Sequence, residues 1–308
     1  MDDWLYPLLR FAHYTLLLGL FGITAFRCIG LRETLAQQSK RKNNGALAVA
    51  AVVAPVLTIT LMLLSIAAMM AQPVWQLEGA TIEAMVMSTS IGWSFLFRLG
   101  LLSAAAFTLI LFGRSTFGTL VAACLFGLAL ATLAWNGHAA ATEGTLGAIH
   151  RLNDAAHLWA AGLWLGAIGW FVHLTRVASR RPDMIAPIAL LSDMHRFAPL
   201  GVFLVFAVSF TGLFNAHLIF GLDNSADVLS TDYGWLFAAK ISLVGIMLLF
   251  AARNAILGRR HSRIYQTPAD DVNSTLSKLR TSLAAEVTLA LAVLGLVAFI
   301  GTMSPLGH

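Results

Sequence analysis

The chain alternates long apolar segments with short polar connections. Eight of these segments approach or exceed the roughly 20 residues that a helix needs to cross a bilayer. Their predicted bounds are Leu5–Ile29, Ala46–Ala71, Ser94–Gly113, Thr116–Asn136, Leu152–Leu174, Phe197–Leu222, Gly234–Leu257 and Leu283–Met303. The pattern predicts an all-α polytopic membrane protein built as a bundle of eight transmembrane helices.

Composition agrees with this fold class. Of the 308 residues, 58% are hydrophobic and only 11% are charged, and the mean hydropathy is +0.77. Such a chain is too apolar for a soluble domain. We expect a single transmembrane domain over residues 1–308, and the sequence indicates no internal repeat. The two cysteines, Cys28 and Cys124, fall in predicted spans, so a disulfide framework is not expected.

Basic residues concentrate in alternate connections. These are Arg32, Lys40, Arg41 and Lys42, then Arg114, then Arg176, Arg180 and Arg181, then Arg259, Arg260, Arg263, Lys278 and Arg280. The positive-inside rule predicts that these connections are cytoplasmic and that both termini are periplasmic. The net charge of +5 therefore reports orientation, and no motif indicates nucleic acid as a partner.

Histidines are concentrated at the predicted outer face. Six of the nine lie there: His13, His138, His150, His157, His217 and His308. Met85 and Met87 form an M-x-M sequence in an outer connection. Imidazole with thioether is a reasonable ligand set for copper, whereas no cysteine cluster supports a thiolate-rich zinc or iron–sulfur site. Methionine also fills irregular apolar packing, so either role is open for this pair.

One short stretch combines three ionisable side chains at helical spacing. His150, Asp154 and His157 fall at i, i+4 and i+7, which places them on one stripe with the imidazoles about 10 Å apart along the axis. His13 enters the first span at a depth similar to that of His157 in the fifth. An acid inside an apolar span is expected to face the protein interior and a partner.

The partner of Asp154 has two interpretations. Asp154 orients an imidazole as a hydrogen-bond acceptor, or it pairs with a cation such as Arg98 or Arg151. Arg98 and Lys240 lie in apolar sequence in the outer parts of their spans, so both are expected to pair with acids.

Several motifs together resemble a known family. They are RFAHYTLLLGLFG at 10–22, NGHA at 136–139, HRLNDAAHLWAAGLWLG at 150–166, HRFAPLG at 195–201, TGLFNAH at 211–217 and TDYGWLFAAKISLVGIMLLFAARN at 231–254. In this order, and over nearly the whole chain, they resemble the CopD/PcoD copper-resistance family of bacterial inner-membrane proteins.

The resemblance implies a multi-pass inner-membrane protein that moves copper ions from periplasm to cytoplasm and contributes to copper homeostasis and resistance. It also implies a separate periplasmic copper carrier of the CopC type as a partner. On the matching positions, it makes His13, His138, His150 and His157 candidate copper ligands, with Asp154 supporting them. Further candidates are His217, Met85 and Met87.

Two other interpretations are open. Paired histidines at matched depth on different helices can hold a b-type haem for electron transfer. Alternatively, the histidines are structural and the protein is a membrane scaffold. The sequence shows neither a hydrolase-type spacing of nucleophile and base nor a phosphate-binding loop, so an enzyme is not expected.

Overall fold

A computed structural model describes residues 4–29, 33–136, 142–262 and 269–303, and it shows no strand in these ranges. The helices are α1 (Leu5–Ile29), α2 (Glu33–Met69), α3 (Gly79–Ser88), α4 (Ser90–Phe112), α5 (Thr116–Ala131), α6 (Gly144–Arg180), α7 (Pro187–Phe220), α8 (Ser225–Leu229), α9 (Asp232–Ser262) and α10 (Ala269–Ile300). Short 3-10 turns lie at Val74–Gln76, Thr132–Trp135 and Leu222–Asn224.

The eight predicted spans are confirmed. Within the described ranges, α1, α2, α4, α5 with its 3-10 extension, α6, α7, α9 and α10 are long and apolar enough to cross a membrane. Several run beyond the predicted bounds: α6 begins at Gly144 and α10 at Ala269. A helix continues into the polar interface because its backbone hydrogen bonds do not require an apolar surrounding.

Local sequence explains where several helices begin and end. Thr89 caps α4 by accepting a hydrogen bond from the Gly92 amide at 2.9 Å, and Ser115 caps α5 in the same way. Gly221 follows α7 with a φ of 72°, a left-handed conformation that glycine adopts without a Cβ penalty. Between the long helices, the short helices α3 and α8 lie in two of the predicted outer connections.

Helices α1 and α6 pack in parallel at the centre of the bundle. A Cβ added to Gly22 would lie 2.9 Å from Cα of Gly166, and one added to Gly166 would lie 2.5 Å from Cα of Gly22. Leu18 contacts Gly162 one turn earlier. Backbones approach this closely only where side chains are absent, so glycines set the distance between the two helices.

Two hydrophobic cores flank this central pair. One joins α1 to α2, α4 and α5 around Leu17 and Leu20, and the other joins α6 to α7, α9 and α10 around Trp164 and Phe171. The halves also share an order of contacts: α1 packs on α2 and α5, as α6 packs on α7 and α10. The two halves of the described residues therefore share one order of helix contacts, although the sequence indicated no internal repeat.

The N-terminus of α1, helices α3 and α8, and residues 142–143 lie at one end of the bundle, which we call the outer end. Arg114, Arg176, Arg180 and Arg181 lie at the opposite, inner end. The positive-inside rule assigns an end that carries such basic residues to the cytoplasm. The periplasmic position of the outer end stays a prediction.

Candidate functional site

The candidate site lies on α6 at the outer end, where His150, Asp154 and His157 occupy one helical stripe as predicted. His150 is buried, and its Nδ1 lies 3.0 Å from Oγ1 of Thr142 just before the helix. Asp154 and His157 are partly exposed. The stripe therefore runs from a buried imidazole at the start of the helix to a second imidazole about two turns deeper.

One amide side chain donates to the Asp154 carboxylate, and a second amide orients the first. Asn215 of α7 donates from Nδ2 to Oδ1 of Asp154 at 3.0 Å, and Asn153 donates from Nδ2 to Oδ1 of Asn215 at 2.7 Å. Asn153 also donates to the carbonyl of Thr211 at 2.9 Å. Lys240 of α9 interacts electrostatically with the carboxylate. The network fixes the orientation of Asp154 and supplies a nearby positive charge.

The hydrogen bonds of His157 identify its tautomer. Its Nδ1 lies 2.9 Å from Oγ1 of Thr211, and that hydroxyl lies 2.5 Å from the carbonyl of Ala207. A carbonyl only accepts, so the single hydroxyl proton points to Ala207, and Thr211 accepts the Nδ1–H of His157. In the neutral ring, Nε2 then carries the lone pair that a metal ion needs. Gly212 lies against the same ring.

His13 of α1 has a similar arrangement with α2. Its Nε2 lies 2.9 Å from Oγ1 of Thr58, which donates to the carbonyl of Ala54 at 2.8 Å. Thr58 therefore accepts the Nε2–H of a buried imidazole. The charges that act on this ring are those of Arg98 and Arg10.

His13 and His157 belong to different neighbourhoods. His13 and Gly22 are nine residues apart on α1, which turns them to opposite sides of the helix. Because Gly22 faces α6, His13 faces α2, whereas His157 faces α7. Among the residues that the structure describes, no group of three or more His, Cys, Asp or Glu side chains could hold a metal ion.

The other candidates are more scattered. His138 lies outside the described residues, and His217 is exposed at the end of α7. Met85 and Met87 are about 200° apart on α3. Met85 packs against the apolar cluster around Ile66, while Met87 is exposed. The helix thus turns the two sulfur atoms to different sides.

The two cations of the outer half differ in their partners. Lys240 interacts with Asp154, as predicted. The predicted pairing of Arg98 with an acid is wrong in the described structure: Arg98 donates from Nε to Oγ1 of Thr132 at 2.7 Å and from Nη2 to its carbonyl at 3.0 Å. The 3-10 turn that follows α5 provides these acceptors, which a span-by-span analysis of the sequence does not locate.

Thr58, Thr211 and Asn215 were not predicted from the sequence as partners of the ionisable groups. Thr211 and Asn215 fall at i and i+4 within TGLFNAH, so they share one stripe of α7. Two polar residues at this spacing in an apolar span indicate a polar contact with a neighbouring helix. The spacing was visible in the sequence, but only the packing shows that these two residues face α6.

Two protein-family models match parts of this chain. Residues 1–148 match the family described as copper resistance protein D-like, N-terminal domain, and residues 191–300 match copper resistance protein D. The chain is 32% identical to copper resistance protein D of Pseudomonas syringae pv. tomato, over 99% of this chain and 98% of that protein. No solved structure matches significantly.

Two further relatives cover less of the chain. The inner membrane protein YebZ of Escherichia coli K12 is 28% identical over 80% of this chain and 81% of its own length. The copper transport protein CutJ of Bacillus subtilis 168 is 32% identical over 48% of this chain and 26% of its own length. With eight apolar helices and full-length similarity to copper resistance protein D, the chain belongs to the copper resistance protein D family and is a multi-pass inner-membrane protein.

Proposed function

We propose that this protein transports copper across the inner membrane, from periplasm to cytoplasm, and so contributes to copper homeostasis and resistance. The observation that carries the proposal is the α6 stripe, in which the lone pair on Nε2 of His157 lies one turn below the anchored Asp154. Relatives named for copper resistance and copper transport support the choice of cargo.

The stripe suggests an order of steps. A periplasmic carrier of the CopC type delivers copper at the outer end, and His138 stays a predicted ligand. His150 receives the ion at the start of α6, and His157 receives it about 10 Å deeper. Imidazole nitrogen suits copper in either common oxidation state. His217, Met85 and Met87 stay predicted contributors at the outer end.

Asp154 has an electrostatic role in this scheme. A cation that leaves water for an apolar span loses hydration, and a nearby carboxylate offsets part of that cost. Before copper arrives, Lys240 interacts with the carboxylate. An arriving copper ion takes over the carboxylate from Lys240, which makes Asp154 a charge partner for the ion without requiring direct coordination.

Copper content of the purified protein tests the proposal. We expect detergent-purified wild type to bind copper by elemental analysis, and His150→Ala with His157→Ala to lose most of it, by more than about tenfold, because imidazole nitrogens supply the affinity. His173→Ala is the matched control, since His173 lies on the same helix but packs against Trp170, away from the stripe. Uptake of copper into vesicles then tests transport itself.

An absorption spectrum of the same samples distinguishes a copper-binding protein from a haem-binding one. A haem band in wild type that disappears with His157 would favour the b-type electron-transfer protein. Copper that remains fully bound to the double variant would contradict the stripe as the binding site.

Acid should weaken copper binding. A coordinating imidazole nitrogen must be unprotonated, so metal and proton compete for the same lone pair, and affinity falls as pH decreases. We expect chelator-competition titrations to show at least about a tenfold loss of affinity between neutral pH and about pH 5. An affinity that is constant over this range would exclude histidine as the main ligand.

A further inference from the structure

The two halves of the chain share a motif at the outer starts of α4 and α9. Both follow the pattern T-x-x-G-W-x-x-x-x-[R/K], beginning at Thr89 and at Thr231. In each, the glycine amide donates to the threonine hydroxyl: Gly92 to Thr89 at 2.9 Å and Gly234 to Thr231 at 3.1 Å. The motif ends on Arg98 or Lys240, the cation that acts on the histidine of its own half.

The helices that precede these caps also correspond. A Cβ added to Gly92 would lie 2.6 Å from the carbonyl carbon of Val86, and one added to Gly234 would lie 2.6 Å from the carbonyl carbon of Val228. Each valine lies six residues before its glycine and is buried. The same chain turn therefore follows α3 and α8. It also precedes α5, where a Cβ added to Gly118 would lie 2.6 Å from the carbonyl carbon of Phe112, so the threonine and the tryptophan of the motif distinguish the two equivalent positions.

The histidine–threonine pairs are equivalent as well. His13 of α1 donates to Thr58 of α2, as His157 of α6 donates to Thr211 of α7. Both threonines direct their proton to the carbonyl four residues earlier. Each ring is thus held by its neighbouring helix in one tautomer, although the nitrogen that donates differs.

Helices α1 and α6 align without a gap. Both contain A-H followed by eight residues and a glycine, ending at Gly22 and at Gly166. These two glycines contact each other in the structure. Equivalent positions of two parallel helices touch only near a twofold axis between them, and parallel repeats in membrane proteins are related by an axis along the membrane normal. The axis passes between Gly22 and Gly166.

This alignment places Arg10 opposite Asp154, three residues before the histidine in each half. Arg10 donates from Nη1 to the carbonyl of Gly301 and from Nη2 to the hydroxyl of Tyr14, both at 2.8 Å. The charges acting on His13 are therefore two cations, Arg10 and Arg98. The charge that acts on His157 is that of Lys240, and the position that corresponds to Arg10 is occupied by Asp154, whose carboxylate interacts with the same Lys240.

From this difference we propose that the protein is two copies of one four-span unit, each with a histidine–threonine station, and that only the second station, at His157, binds a metal cation. This inference rests on the proposed function. Two guanidinium groups repel an incoming copper ion, and His13 lacks a carboxylate at the position of Asp154. His13 is instead a structural hydrogen-bond donor that joins α1 to α2.

The same substitution in both stations tests the inference. Glutamine keeps an N–H donor for the threonine but removes the imidazole ligand, so His13→Gln and His157→Gln are matched variants of the full-length chain. With copper ions alone as the probe, we expect wild type and His13→Gln to bind equally. We expect His157→Gln to bind at least tenfold less.

A third variant tests the role of residue 10. Arg10→Asp gives the first station the charges of the second, so we expect additional copper that is lost again when His13→Gln is added. A folded Arg10→Asp protein with unchanged copper content would overturn the charge explanation. If Arg10→Asp does not fold, the matched glutamine pair still decides the location of the cation.

The outcomes separate the two proposals. Equal loss of copper in His13→Gln and His157→Gln would overturn the single-station inference and leave copper transport intact. Two bound copper ions in wild type, each lost with one histidine, would also overturn it. Wild type that binds no copper would contradict the proposed function, and the inference that rests on it would fail as well.

Discussion

Gly166→Leu is expected to leave little folded protein in the membrane. The α1 and α6 backbones meet at this residue, where even a Cβ would lie 2.5 Å from Cα of Gly22. A leucine must separate the two central helices and disturb both cores, since close-packed interiors do not absorb such a volume. We expect a loss of more than about 3 kcal/mol in the free energy of unfolding. Size-exclusion chromatography of a fluorescent fusion measures the folded fraction.

The control lies three residues further along the same helix. A Cβ added to Gly169 meets no atom within 4 Å, so Gly169→Leu should accumulate as wild type does. Gly22→Leu should be as harmful as Gly166→Leu, because the two positions form one contact. Normal folding of Gly166→Leu would show that the central helices do not pack as described.

Lys240→Met is expected to destabilise the protein by about 2 to 3 kcal/mol. The substitution removes the positive charge that acts on Asp154 and leaves the carboxylate with the Asn215 amide as its described hydrogen-bond donor. An unpaired carboxylate in an apolar span is costly, whereas a neutral amide of the same shape is much less so. Adding Asp154→Asn should therefore recover most of the lost stability in thermal or denaturant unfolding in detergent.

Lys240→Arg serves as the charge-retaining control and should stay close to wild type. The double substitution distinguishes electrostatic pairing from simple packing. If Lys240→Met and Asp154→Asn have additive effects, the two side chains are not coupled, and the role of Lys240 as the resting partner of Asp154 is wrong.

The lengths of the apolar segments predicted the fold well. A helix that crosses a bilayer must satisfy its backbone hydrogen bonds internally and present about 20 apolar residues. All eight spans were located. The ends were less accurate: α6 begins eight residues before the predicted Leu152, and α3 was not expected. Helix ends depend on caps such as Thr89 and on packing at the interface, which hydropathy does not measure.

The candidate site divides in the same way. Spacing alone placed His150, Asp154 and His157 on one stripe, because i, i+4 and i+7 share a helical face. It could not show that Thr211 and Asn215 from α7 hold this stripe. Depth in the sequence also suggested that His13 and His157 act together, yet they face different helices, since depth does not determine which way a side chain points.

The sequence by itself determined the class of the protein, the number of spans, the α6 stripe and the family, because each depends on residue types at short, regular spacing. Only the tertiary structure decided which helix each polar side chain meets and which helix contacts correspond between the two halves. The repeat was not recognised from sequence because corresponding residues are separated by 144 positions at His13 and His157 but by 153 at Thr58 and Thr211. Connections of different length shift the register between helices, while the contacts that relate the halves are preserved in space.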